Sequence, residues 1–147
     1  MTESPPSPFK IFLVDNHFIV RMGLAASLNE ESDLEVIGEA ASIAEALEAL
    51  PHALPDVAVV DLRLPDGDGF ELVAQLAEKR PGVRCLILSV NTGENDILQS
   101  FKAGACGYLS KSVERAELLD AIRTVAEGDT YFPAHLRSIL AKGIARP

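Results

Sequence analysis

The sequence is short of what export or membrane insertion requires. No apolar run is long enough to span a bilayer, and the N-terminus has no basic stretch followed by an apolar one. A soluble, unexported, cytoplasmic protein with no membrane partner is expected. Cysteine is scarce: Cys85 and Cys106 are the two in 147 residues, each in or beside an apolar segment. Two scattered thiols do not make a metal centre, and free buried thiols in a reducing compartment fit them better than a disulfide. Positive charge is short as well. With a net charge of −9 and a pI near 4.7, the surface repels phosphate backbones, so any DNA contact has to come from another domain. Internal repeats are missing, and so is a G-x-G-x-x-G turn after the first apolar run. Asp15-Asn16-His17 stands in that place, which weakens a dinucleotide-binding reading.

What is present is a core-forming chain of one-domain size. Hydrophobic residues make up 48%, well above what disordered chains carry. Residues 1–8, with the polar, proline-rich TESPPSP, read as a disordered lead-in. A β-α rhythm then runs from 9 to 128. Short apolar strands are expected at Lys10–Val14, Leu34–Ala40, Asp56–Val60, Val83–Leu88 and Gly107–Leu109. Helices are expected at Phe18–Leu28, Ser42–Leu50, Phe70–Lys79, Asn95–Ala103 and Glu114–Glu127. The second helix opens with a capping box, Ser42 and Glu45, and the last turns Leu118, Leu119, Ile122 and Val125 inward. Leu64–Gly69 (LPDGDG) is a turn-rich loop.

Continuous apolar strands between amphipathic helices imply an α/β fold: a doubly wound, five-stranded parallel sheet covered on both faces. Leu34–Ala40 alternates with acidic residues and belongs at an edge, which favours strand order 2-1-3-4-5, the flavodoxin-like arrangement. In such a sheet, functional groups gather beyond the carboxyl ends of the strands. Asp15 and Asn16, Asp61, Ser89 and Lys111 occupy those ends. Each alone has an ordinary use, since Asp or Asn after a strand commonly caps the next helix. Together they form a coherent set: hard oxygen ligands suited to Mg²⁺, with a hydroxyl and an ammonium to hold phosphoryl oxygens.

The stretches FLVDNH (12–17), VVDLRLPDGDGF (59–70), LILSV (86–90) and KAGACGYLSK (102–111) resemble the signature blocks of response-regulator receiver domains, specifically the NarL/LuxR-type subgroup. The resemblance runs from Phe9 to Phe132, in the expected order, and implies the CheY-like version of this fold. It implies Asp61 as phosphoacceptor from a sensor histidine kinase, and Mg²⁺ held by Asp15, Asn16, Asp61 and the Arg63 carbonyl. It implies Lys111 paired with Asp61, Ser89 on the phosphoryl group and Tyr108 as a switching aromatic.

Two positions depart from that pattern. Asn16 replaces the usual second acid, so weaker Mg²⁺ binding is expected, and a phosphorylation-independent receiver is the alternative reading. Ser112 stands where many receivers have proline. The Asp66–Gly69 turn mimics a calcium loop but lacks its glycine and closing glutamate. His17, His52 and His135 show no metal spacing, and His17 reads as a partly exposed residue bordering the crevice, behind the direct ligands, rather than a base. A hydrolase of the D-x-D kind would need an acid where Arg63 stands, and a flavodoxin-like binder would need an apolar pocket. Residues 129–147 read as a linker in which Pro133 starts a short helix with Leu136, Ile139 and Leu140 on one side. The subgroup carries its DNA-binding helix-turn-helix beyond such a linker. A truncated transcription factor is therefore expected rather than a single-domain regulator, with homodimerisation left open.

Overall fold

A computed structural model describes residues 7–91 and 93–134, with the isolated positions 137 and 141. The lead-in reading at 1–6 and the linker stripe at Leu136, Ile139 and Leu140 lie outside the described residues.

Strands β1 (Phe9–Val14), β2 (Leu34–Ala40), β3 (Val57–Asp61), β6 (Arg84–Ser89) and β7 (Gly107–Ser110) form one parallel sheet in the order β2-β1-β3-β6-β7. This is the expected 2-1-3-4-5 order once a small ribbon is set aside. That ribbon pairs β4 (Arg63–Leu64) with β5 (Gly67–Asp68) in antiparallel fashion, where the sequence had implied only a loop. Burial follows position: every residue of central β3 is buried, whereas edge strand β2 buries only its two ends fully.

Helices cover both faces, as continuous apolar strands require. Helices α1 (Phe18–Asn29) and α5 (Arg115–Ala126) pack on one core with Leu13, Val59 and Leu88. Helices α2 (Ile43–Ala53), α3 (Gly69–Lys79) and α4 (Glu94–Ala103) pack on the other with Phe12, Val60 and Ile87. Ser42 caps α2 by accepting the Glu45 N–H at 3.1 Å. Helix α2 continues past the expected end at Leu50, carrying Pro51 inside it and closing with the Leu54 N–H on the Leu50 carbonyl. A register shift in the β1–β2 pair sets Phe12 opposite Gly38, where a Cβ would stand 2.6 Å from the Phe12 ring. A side chain at 38 would push on that ring, and glycine leaves room for it against the edge strand.

After α5 the chain folds back onto the sheet. Tyr131 bridges Gly107, and its backbone exchanges hydrogen bonds with Cys106 and Tyr108 at 2.9 Å each. Phe132 is buried edge-on against Phe101, with centroids 5.5 Å apart. The segment expected to leave the domain after residue 128 is thus seated on it through Phe132.

Candidate functional site

The sheet's own ladder places the site. Asp15 follows β1 and its N–H donates to the Ala40 carbonyl at 3.0 Å; Lys111 follows β7 and donates to the Ser89 carbonyl at 2.8 Å. Asp61 and Ser89 are the last residues of β3 and β6. Backbone pairing therefore brings these four positions together at one end of the sheet.

Three side chains meet there directly. Lys111 Nζ lies 3.0 Å from Asp15 Oδ2 and 3.2 Å from Asp61 Oδ2. Asp15 and Asp61 are both buried, at 3% and 6% exposure, so the ammonium is the charge that makes two neighbouring carboxylates tolerable. Burial, and then the Asp15 charge, push the Asp61 carboxyl above its ordinary value; Lys111 and the Arg63 N–H offset this only in part. For Asp15, burial also acts upward, but the His17 N–H and Lys111 outweigh it and hold the carboxyl below its ordinary value.

Other residues named from the sequence stand around this centre. Asn16 is exposed beside it and is held by none of the hydrogen bonds that fix Asp15. The Arg63 N–H is 3.5 Å from Asp61 Oδ1, while its guanidinium turns away to Asp68 at 2.9 Å. Ser89 Oγ, 1% exposed, accepts the Asn91 N–H at 3.0 Å. Tyr108 lies inward, 1% exposed, and its hydroxyl donates to the Asn91 carbonyl. Ser89 and Tyr108 therefore hold the N–H and the carbonyl of the same residue of the β6–α4 loop. At Gly69 a Cβ would stand 2.5 Å from the Asp61 carbonyl. Its hydrogen is what lets the ribbon close down behind Asp61, with the Gly69 N–H on the Leu62 carbonyl at 2.7 Å.

Several contributors escape a reading of the sequence. Arg21 donates to the Asp15 carbonyl and pairs with Glu39 at 3.1 Å, bracing the turn after β1. Asp66 accepts the Ile43 and Ala44 N–H groups at 2.9 and 3.0 Å, tying the loop beyond Asp61 to the start of α2. His17 borders the crevice and is exposed. The histidines show no metal spacing along the chain, yet the fold sets ligand atoms of Asp15, His17 and Asp61 within 4.8 Å of one another. Among sequence signals, only the closeness of His17 to Asp15 pointed there; Asp61 arrives through the sheet. His52 is exposed on α2, and His135 lies outside the described residues.

A parallel β2-β1-β3-β6-β7 sheet with two acids and a lysine converging at its carboxyl end defines a receiver domain. Residues 11–123 match the model of the response regulator receiver domain family, and the chain belongs to that family. Its relatives narrow the placement to the NarL/LuxR-type subgroup. The DNA-binding transcriptional activator DevR/DosR of Mycobacterium tuberculosis is 47% identical over 119 residues, 81% of this chain and 55% of that protein. The chain thus spans little more than half of that relative's length. A LuxR-family two-component response regulator from Aurantimonas sp. SI85-9A1 superposes with a TM-score of 0.84 at 32% identity, covering 95% of this chain and 100% of that one. The signal receiver domain of the putative response regulator NarL from M. tuberculosis gives 0.80 at 32% identity, over 84% and 99%. This protein is a signalling domain of two-component systems, and among the described residues no helix is long and apolar enough to cross a membrane.

Proposed function

We propose that Asp61 accepts a phosphoryl group from a sensor histidine kinase in the cytoplasm, and that the resulting change at Ser89 and Tyr108 controls a LuxR-type DNA-binding output domain. The observation that carries this is the buried Asp61 carboxylate with Lys111 Nζ at 3.2 Å and Asp15 beside it. The donor chemistry fits a divalent ion: carboxylates of Asp15 and Asp61, the Asn16 amide oxygen and the Arg63 carbonyl would hold Mg²⁺. When bound, Mg²⁺ supplies positive charge against the phosphoryl oxygens.

The chain's own groups supply the rest. Phosphoryl transfer through a loose transition state asks mainly for alignment and charge neutralisation. Asp61, fixed at the end of β3, aligns its oxygen; the bond from phosphorus to the kinase histidine nitrogen breaks as the bond to the Asp61 oxygen forms. Lys111 neutralises charge at that oxygen. The exposed apolar residues Phe18, Ile19 and Met22 of α1 offer the kinase a seat beside the crevice. Once the phosphoryl group arrives, the Ser89 hydroxyl can donate to a phosphoryl oxygen, and its movement pulls on the Asn91 N–H that it accepts. Because Tyr108 holds the same Asn91, its anchor shifts too, and with it the strand against which Tyr131 is paired.

Incubation with acetyl phosphate and Mg²⁺, followed by intact-mass measurement, tests the assignment. Wild type should gain one phosphoryl group and Asp61→Ala none; equal gain in both would refute it. Asn16→Asp should tighten Mg²⁺ binding by about tenfold for each ~1.4 kcal/mol the added charge contributes. Equal Mg²⁺ affinities by titration would remove Asn16 from the site.

A further inference from the structure

The crevice holds a donor, His17, to which the receiver resemblance assigns no role. The His17 backbone N–H donates to Asp15 Oδ1 at 2.8 Å, and this tight turn folds the ring back over the carboxylates. His17 Nδ1 then lies 3.0 Å from Asp15 Oδ1 and 3.8 Å from Asp61 Oδ2. Ligand atoms bound about 2.1 Å from one ion sit about 3 Å apart when they are adjacent in an octahedron. The observed spacings need only a small rotation of the ring to meet that. Lys111 approaches the same carboxylates from the Oδ2 atoms, at 3.0 and 3.2 Å, leaving the Oδ1 side of Asp15 to His17.

The chemistry of the set differs from an all-oxygen site. Mg²⁺ takes hard oxygen ligands and keeps its waters, whereas imidazole suits first-row transition ions, whose affinities rise along the Irving–Williams order. Asn16, an amide where receivers usually carry an acid, removes one anionic oxygen from the same rim. Both features move the site in one direction. We propose that His17 is a nitrogen ligand of the divalent cation and makes this crevice prefer Mn²⁺ and Co²⁺ over Mg²⁺. The proposal rests on the reading of the crevice as the receiver's divalent-ion site. Ligation through Nδ1 requires the tautomer with its hydrogen on Nε2. Without the ion, Nδ1 donates to Asp15 Oδ1 at 3.0 Å, so the cation takes the place of that hydrogen, and with the side chain 61% exposed, water can meet the N–H moved to Nε2.

Titrations of Mg²⁺, Mn²⁺ and Co²⁺ into wild type, His17→Ala and Asp61→Asn, with pulsed EPR of the Mn²⁺ forms, test it. Wild-type Mn²⁺ should show nitrogen-14 coupling that disappears in His17→Ala, where His52 and His135 are still present. The ratio of Co²⁺ to Mg²⁺ affinity should fall about tenfold or more in that variant, the scale of losing a group that supports a metal site. Coupling that survives in His17→Ala, or an unchanged ratio, overturns the role of His17. An oxygen-only Mn²⁺ signal that weakens in Asp61→Asn overturns His17 alone and keeps the receiver reading. Cation binding that is equally tight in Asp61→Asn sinks both.

Discussion

Helices α1 and α5 are each 12 residues long and lie against the same core, yet they use their apolar residues in opposite ways. Helix α5 buries Leu118, Leu119, Ala121, Ile122 and Val125. Helix α1 fully buries only Leu28 and leaves Phe18, Ile19 and Met22 between 52% and 70% exposed. It begins one residue after His17, so its first turns stand at the rim of the crevice rather than over the sheet. The two helices are tied at the other end. Arg123 pairs with Asp33 at 2.7 Å and with Glu31 at 2.8 Å, and Arg115 reaches Glu31 at 2.8 Å and Ser27 at 2.7 Å. Helix α1 is thus fastened by its C-terminal end and the turn after it, while its apolar beginning faces outward beside Asp61. Apolar content alone does not say which end of a helix is core.

The sharpest way to break this contrast is a pair of matched truncations. Ile122→Ala removes a side chain that is 0% exposed in the α1–α5 core, and should cost about 2–5 kcal/mol in urea unfolding. A loss below about 1 kcal/mol would mean that α5 is not the packed partner described above.

The α5 stripe was legible because its spacing and its burial coincide; the same reading of Ile19, Met22, Leu24 and Leu28 finds the helix but not its exposed half. Strand ends were legible too, since a continuous apolar run ending in Asp61 or Ser89 has one place to go in a parallel sheet. Long-range partners were not. Ser42 announces its cap locally through Glu45, but nothing near Asp66 shows that its carboxylate would serve the same helix from 23 residues away. The 63–68 ribbon, with two residues per strand, is too short for any periodicity to register. The border position of His17 was legible beside Asp15, but its nearness to Asp61 was not, since Asp61 reaches it through the sheet.

A smaller effect should come from the ion pairs that join α5 to the end of α1. Arg115 and Arg123 hold the Glu31 carboxyl below its ordinary value of 4.5, and Arg123 holds Asp33 below its ordinary 3.8. Carboxyls depressed in the folded state stabilise it fully above those ordinary values and lose that contribution as pH falls through the folded ones. Arg123→Met should therefore lower the urea midpoint at neutral pH, with the gap to wild type closing below about pH 4 and shrinking in high salt. A gap that persists in acid would mean that Arg123 does not act through these two carboxyls.

The smallest effect is expected at the exposed end of α1. Ile19 is 70% exposed, so Ile19→Ala deletes little buried area and should change stability by no more than about 0.5 kcal/mol. The comparison is informative because residue type and substitution match those at Ile122, leaving position as the one variable. If Ile19→Ala instead cost as much as Ile122→Ala, and the loss grew with protein concentration, the rim of α1 would be covered by a second copy of the chain. The apolar seat beside Asp61 would then be closed to a kinase until that copy dissociated.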